Sequence, residues 1–175
     1  LIKIQPKNKS LNTKERAIIA GELNKDFIDN KIIKNEFNLL KDYELEFLKS
    51  SYDLDSDAKL LSYCKDVKVL FFKNKCEFKI EEGFTATNGN FYRTNRDDQT
   101  NMIGQKDALS DNLNILQVPW KTENRGYVMH TREDWLKIHQ EAFTHKQMQL
   151  MKYDSLKKQT TTTLTQDELS AINWT

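Results

Sequence analysis

Glycine and proline are scarce, with 5 and 2 in 175 residues. Long irregular loops draw on both, so a loop-dominated architecture is excluded and a helical majority is expected. Cysteine is scarce as well. Cys64 and Cys76 are too few for a disulfide framework, form no Cys-x-x-Cys pair, and suit two reduced, half-buried thiols. No apolar run approaches the roughly 18 residues that cross a bilayer. The longest, Val67 to Phe72, carries Lys68 inside it, so membrane insertion is not expected. Neither sign of charge dominates, with 27 basic against 26 acidic residues, and no global field is available to hold nucleic acid. The chain opens on Leu1 rather than methionine, so the lack of a signal-like segment carries no weight.

What is present is charge and polarity: 30% of residues are charged and the mean hydropathy is −0.75. That balance fits an exposed or assembly-forming protein better than an enzyme with a thick core. The length allows one domain with a real core plus an appended helical segment.

Residues 1–66 read as a helical N-terminal segment suited to docking or oligomerisation. Leu1 to Ile4 is a candidate strand, and Asn12 with Glu15 has capping-box spacing ahead of a helix from Thr13 to about Asp29. Asp29-Asn30-Lys31 reads as a break. From Ile32 to about Lys49, Ile33, Phe37, Leu40, Tyr43 and Phe47 form one apolar stripe at helical spacing. About two heptads is too short for an isolated coiled coil, so the stripe is a candidate interaction surface. An acidic linker, Ser51 to Asp57, leads to a short helix carrying Leu60, Leu61 and Tyr63.

Residues 67–175 change character. Val67, Val69 and Phe71 alternate with other residues, as do Cys76, Phe78 and Ile80, and the two runs read as a hairpin about Asn74-Lys75. Phe84 to Thr87 and Asn90 to Arg93 flank Asn88-Gly89, a strong turn signal, which predicts a four-stranded antiparallel meander. Thr94 or Asn95 caps a helix to Leu109 with Met102, Ile103, Lys106 and Leu109 near one face.

The stretch Gln117 to His139 then reads as strand, turn, strand and helix. Val118, Trp120, Tyr127 and Met129 supply the strands, Glu123 to Gly126 the turn, and Thr131 with Asp134 the helix cap. The helix runs towards Lys158 and is expected to bury Trp135, Ile138, Ala142, Tyr153 and Leu156, with Leu136, Phe143 and Leu150 beside them. Met148 and Met151 fall off that stripe and mark a second candidate contact surface. Thr160 to Thr163 is expected to interrupt the helix, and Thr165 with Glu168 forms a capping box for a last short one.

Chemical templates fail. Asp53, Asp55 and Asp57 open an EF-hand spacing, but Ala58 and Cys64 occupy the places of the glycine and the bidentate glutamate. His139 and His145 are six apart on a helix and point in different directions, and His130 stands at a strand end, so no metal site is expected. No Gly-x-Ser-x-Gly elbow, activated cysteine or phosphate loop is present. The residues predict a non-enzymatic protein without a cofactor. Trp120, Trp135, Trp174, Tyr92 and Tyr127 read first as core, with stacking on a sugar or protein surface as the alternative.

Several anchors recur together: a strand leading to Gly83, the Asn88-Gly89 turn with Phe91-Tyr92 and Thr94, and the helix start Arg96 to Gln99. Trp120, the Arg125-Gly126 turn, Val128, Thr131, the helix after Trp135, and Leu164 to Ile172 follow. In this order, over about residues 78–174, they resemble a family of phage and prophage tail-region domains, the domain of unknown function 4376. The resemblance implies a tail-fibre or fibre-associated component of a virion or phage-like particle, made in the bacterial cytoplasm. Its partners would be other tail proteins or sister subunits. A fibre-assembly chaperone and a module binding a host-surface glycan are the alternatives. The resemblance brings no catalytic residues. The fold expected is α+β: N-terminal helices, a small antiparallel meander, and a C-terminal hairpin followed by helices.

Overall fold

A computed structural model describes residues 25–34, 44, 46, 54 and 56–175. The strand and helix start expected within residues 1–24, the stripe residues Phe37, Leu40, Tyr43 and Phe47, and Asp53 and Asp55 lie outside the described residues. In chain order the elements are α1 (Lys25–Ile33), α2 (Asp57–Glu82), β1 (Phe84–Thr85), β2 (Phe91–Tyr92) and α3 (Arg96–Asp111). They continue as β3 (Gln117–Thr122), β4 (Gly126–Thr131), α4 (Arg132–Thr162) and α5 (Gln166–Ala171). Helix predominates and two antiparallel hairpins supply the sheet, so the fold is α+β. No helix of the described residues is long and apolar enough to cross a membrane.

Three sequence expectations are corrected. The hairpin over Val67 to Phe72 and Cys76 to Ile80 does not exist, because those residues lie in the 26-residue helix α2. Leu60, Cys64, Val67, Lys68, Phe72, Cys76 and Ile80 are its buried positions, a helical stripe that the short alternation of Val67, Val69 and Phe71 disguised. Residues 57–82 contain neither glycine nor proline, so a helix begun at Asp57 propagates cooperatively until Gly83, whose φ of 107° ends it. The meander therefore reduces to the β1–β2 pair.

The break at Asp29-Asn30-Lys31 is likewise absent, since α1 runs through it. Tyr63 Oη donates to Asp29, and Lys31 Nζ reaches both Glu44 oxygens at 2.9 Å, so the polar residues of the apparent break serve as tertiary anchors. Finally, the Thr160 to Thr163 run ends α4 later than expected, at Thr162 instead of near Lys158, and α5 opens at Gln166. The hydroxyls of Thr161 and Thr162 donate to the Lys158 carbonyl at 3.0 Å each, and that of Thr163 donates to Gln159 at 2.8 Å. Threonines bonded back in this way carry the helix a few residues further before it ends.

The chain forms two compact units. In one, made of the described residues up to Phe71 and of Lys158–Thr175, Ile32, Leu54, Leu60, Cys64, Val67 and Leu169 form the core, with Ile33 and Ile172 packed against it. Lys68 Nζ is buried there and donates to Leu169 O at 3.1 Å and Ile172 O at 2.8 Å, supplying donors to the C-terminal carbonyls of α5. The predicted Thr165–Glu168 capping box opens that helix.

The other unit, Phe72–Lys157, holds both hairpins. Its core is Ala86, Tyr92, Met102, Leu109, Val118, Trp135, Ile138 and Ala142. β1 pairs Phe84 with Tyr92, and β3 and β4 pair in full register from Gln117–Thr131 to Thr122–Gly126. Ala86 accepts from Gly89 N at 2.9 Å, so the first turn is Ala86 to Gly89, with Gly89 in the left-handed region at φ 79°. The predicted caps form: Asn95 accepts from Asp98 N at 2.9 Å, and Thr131 Oγ1 accepts from Asp134 N at 3.1 Å. Of the side chains expected in the α4 stripe, Trp135, Ile138, Ala142 and Leu156 are buried, whereas Phe143 and Leu150 stand out in solvent.

Candidate functional site

The second unit carries two concave features. The larger, a cavity of about 500 Å³, is walled by α3 on one side and by β3 and the strand opposite it on the other. α3 contributes Asp98, Asn101, the adjacent Gly104 and Gln105, and Ala108, at helical spacing so that they share one broad face. Pro119, Trp120, Lys121 and Tyr127 come from the β3–β4 hairpin, and Arg93 and Glu123 face each other with Nη1 and Oε1 4.0 Å apart.

The positions are fixed by their neighbours. Trp120 meets the fully buried Trp135 edge-on with ring centroids 5.3 Å apart, while Tyr127 is 78% exposed. Asn124 ties the two hairpins together, its Oδ1 accepting from Phe91 N at 3.1 Å and its Nδ2 donating to Gly89 O at 3.3 Å. Asp98 has its carboxyl pushed above the usual range, first by burial, against the attraction of Arg93; its Oδ2 is buried without a hydrogen-bond partner. A Cβ on Gly104 would meet nothing within 4 Å.

The second feature is an apolar groove of about 350 Å³ between α3 and α4, lined among others by Met102, Ile103, Ala142, Phe143 and Leu150. Ile103 is 58% exposed and Phe143 51%.

Of the sequence-predicted interaction residues, the described ones, Ile33, Met148 and Met151, line neither feature. Ile33 is half-buried against the first unit's core, and Met148 and Met151 are exposed on α4. The histidines are occupied singly. His130 is buried with Nε2 3.3 Å from Tyr92 Oη, His139 lies against Trp135, and His145 Nε2 donates to Lys79 O at 2.9 Å while stacking on Phe84. Among the described residues no three of His, Cys, Asp and Glu come together in a metal-holding group. Both cysteines are free and buried, deeper than the half-burial expected, and burial pushes the Cys64 thiol up to about 12.

The cavity residues Asp98, Asn101 and Gln105 were missed from sequence. Their signal was legible in principle: polar side chains at helical spacing flanking a mid-helix glycine that no turn requires.

Two short hairpins, a capped helix between them and a long helix after the second define a small α+β domain whose concave surfaces include a polar cavity and an apolar groove. The sequence profile of the family described as a domain of unknown function, DUF4376, matches residues 66–173, and the chain belongs to that family. No curated protein and no solved structure matches the chain.

Proposed function

We propose that this protein is a structural and interaction component of a phage or prophage tail, working by protein–protein assembly and not by catalysis. The observation that carries the reading is the groove of Ile103, Phe143 and Leu150, where large apolar side chains stand in solvent on one side of the second unit. Fully burying such a side chain contributes about 1.5–3 kcal/mol, and covering the 51% of Phe143 that is exposed contributes about half of that, so a partner that fills the groove gains affinity from a few residues. The tail setting is supported by the ordered anchors from Gly83 to Ile172. Partners of that kind are sister subunits or other tail proteins, and the exposed Met148 and Met151 offer them further apolar surface.

The test is mass spectrometry of purified particles from a host carrying the wild-type gene or Phe143→Glu. Wild-type protein is expected in the particle, and the variant is expected at least tenfold depleted with an unchanged melting curve. Wild-type protein found in the lysate but absent from the particles would sink the component reading and favour an assembly chaperone.

A further inference from the structure

We infer that the cavity between α3 and the β3–β4 hairpin is a binding site for a neutral saccharide ring. The inference does not depend on the assembly reading, because the α3 residues that wall the cavity are not those that line the groove.

The first argument is charge. Arg93 and Lys121 are matched by Asp98 and Glu123, so the cavity offers no net field for a polyanion such as a nucleotide. The second is the donor set. Asn101 and Gln105 each bring to the lining a planar amide with two donors and an acceptor, and Asp98 adds a carboxylate. A ring bearing several hydroxyls, each both donor and acceptor, matches this mixture better than a carboxylate or an ammonium group.

The third argument is apolar surface. Trp120 and Tyr127 stand at the same cavity, and an aromatic body with a polar tip suits a ligand having C–H faces and hydroxyl edges. Tyr127 is 78% exposed, far more than a core role would leave it. The last argument is Gly104. A glycine inside a helix costs about 1 kcal/mol relative to alanine, and here no neighbour demands it, since a Cβ would enter open space. What its missing side chain provides is room in the cavity wall. At about 500 Å³ the space is within the usual range for small-ligand sites.

The test uses the full chain and a panel of neutral monosaccharides, neutral oligosaccharides, uronic acids and inorganic phosphate, read by tryptophan fluorescence and calorimetry. Saturable binding of at least one neutral sugar is expected, weakened at least tenfold in Tyr127→Ala and in Gly104→Phe. Neither substitution removes a buried contact, and both variants are expected to melt as the wild type does. A neutral monosaccharide that binds alone identifies free sugar as a sufficient ligand, whereas binding confined to oligosaccharides identifies the ligand as part of a longer glycan. No saturable binding across the neutral panel, binding confined to uronic acids or phosphate, or binding unchanged in both variants would overturn the inference.

Discussion

A Cβ built on Gly83 stands 2.2 Å from the carbonyl oxygen of Tyr92 and 2.9 Å from Arg93 Cα. The chain leaves α2 here at φ 107° and passes directly against β2, so both the backbone conformation and the space demand glycine. Gly89 shares the positive φ, at 79°, but a Cβ there meets nothing within 4 Å. Gly83→Ala is therefore expected to cost at least about 3 kcal/mol, and Gly89→Ala about 1 kcal/mol. Urea titration of both variants checks this, and equal losses would contradict the steric account.

Arg132 is the second device that ties distant segments. Its guanidinium donates to the carbonyl of Leu109, to Asn112 O at 3.2 Å and to Ile115 O at 3.4 Å, gathering the end of α3 and the loop after it onto the start of α4. Arg132→Met is expected to cost about 1–3 kcal/mol through the carbonyls left without donors. Arg132→Lys should recover little, because an ammonium lacks the planar fork that reaches three acceptors. Full rescue by lysine would show that charge alone matters.

Burial lowers the pKa of His130, with Asp134 opposing, and lowers that of His139, where Lys106 adds to burial and Asp107 opposes. Tyr92 Oη accepts from Asn88 Nδ2 at 2.9 Å, which leaves its own proton for a neutral His130 Nε2. A folded-state pKa below the unfolded value means that the unfolded chain binds more protons in the window between them. Stability from these groups is then complete above about pH 6.5 and is lost as pH falls through that window. The urea midpoint is expected to fall between pH 7.5 and 5.5, and the fall should shrink in the double variant His130→Gln/His139→Gln. A midpoint that rises on acidification would refute the sign.

The cysteines give a fourth test. Burial raises the pKa of both, that of Cys64 to about 12, and Cys76 Sγ donates to Gln149 O at 3.4 Å. At pH 8 neither thiol is expected to react with a disulfide reagent in the folded protein, and both should react in denaturant. Cys64→Ser should cost about 1 kcal/mol, because the hydroxyl enters a core of Leu60, Val67 and Leu169 but has the Gln166 side chain as a hydrogen-bond partner. Rapid labelling of either thiol under native conditions would contradict the packing of its unit.

The sequence by itself determined the local devices. The Asn95 and Thr131 caps, the Thr165–Glu168 capping box, the Gln117 to Thr131 hairpin and the glycine turns all formed where short-range chemistry placed them, because each needs only neighbours a few residues away. Where periodicity was short, it misled. The alternation of Val67, Val69 and Phe71 is compatible with a strand over five residues, and only the longer stripe from Leu60 to Ile80 identifies one helix. The polar Asp29 to Lys31 segment stayed helical because tertiary anchors outweighed weak local propensity, and back-bonded threonines carried α4 on to Thr162. Tertiary structure alone decided what spacing could not express. Arg132 meets Leu109 across 23 positions and Asn124 meets Phe91 across 33, and the cavity is made only when the polar face of α3 comes to lie beside Trp120 and Tyr127. Contacts between residues so far apart depend on how the elements pack, and no local pattern encodes them.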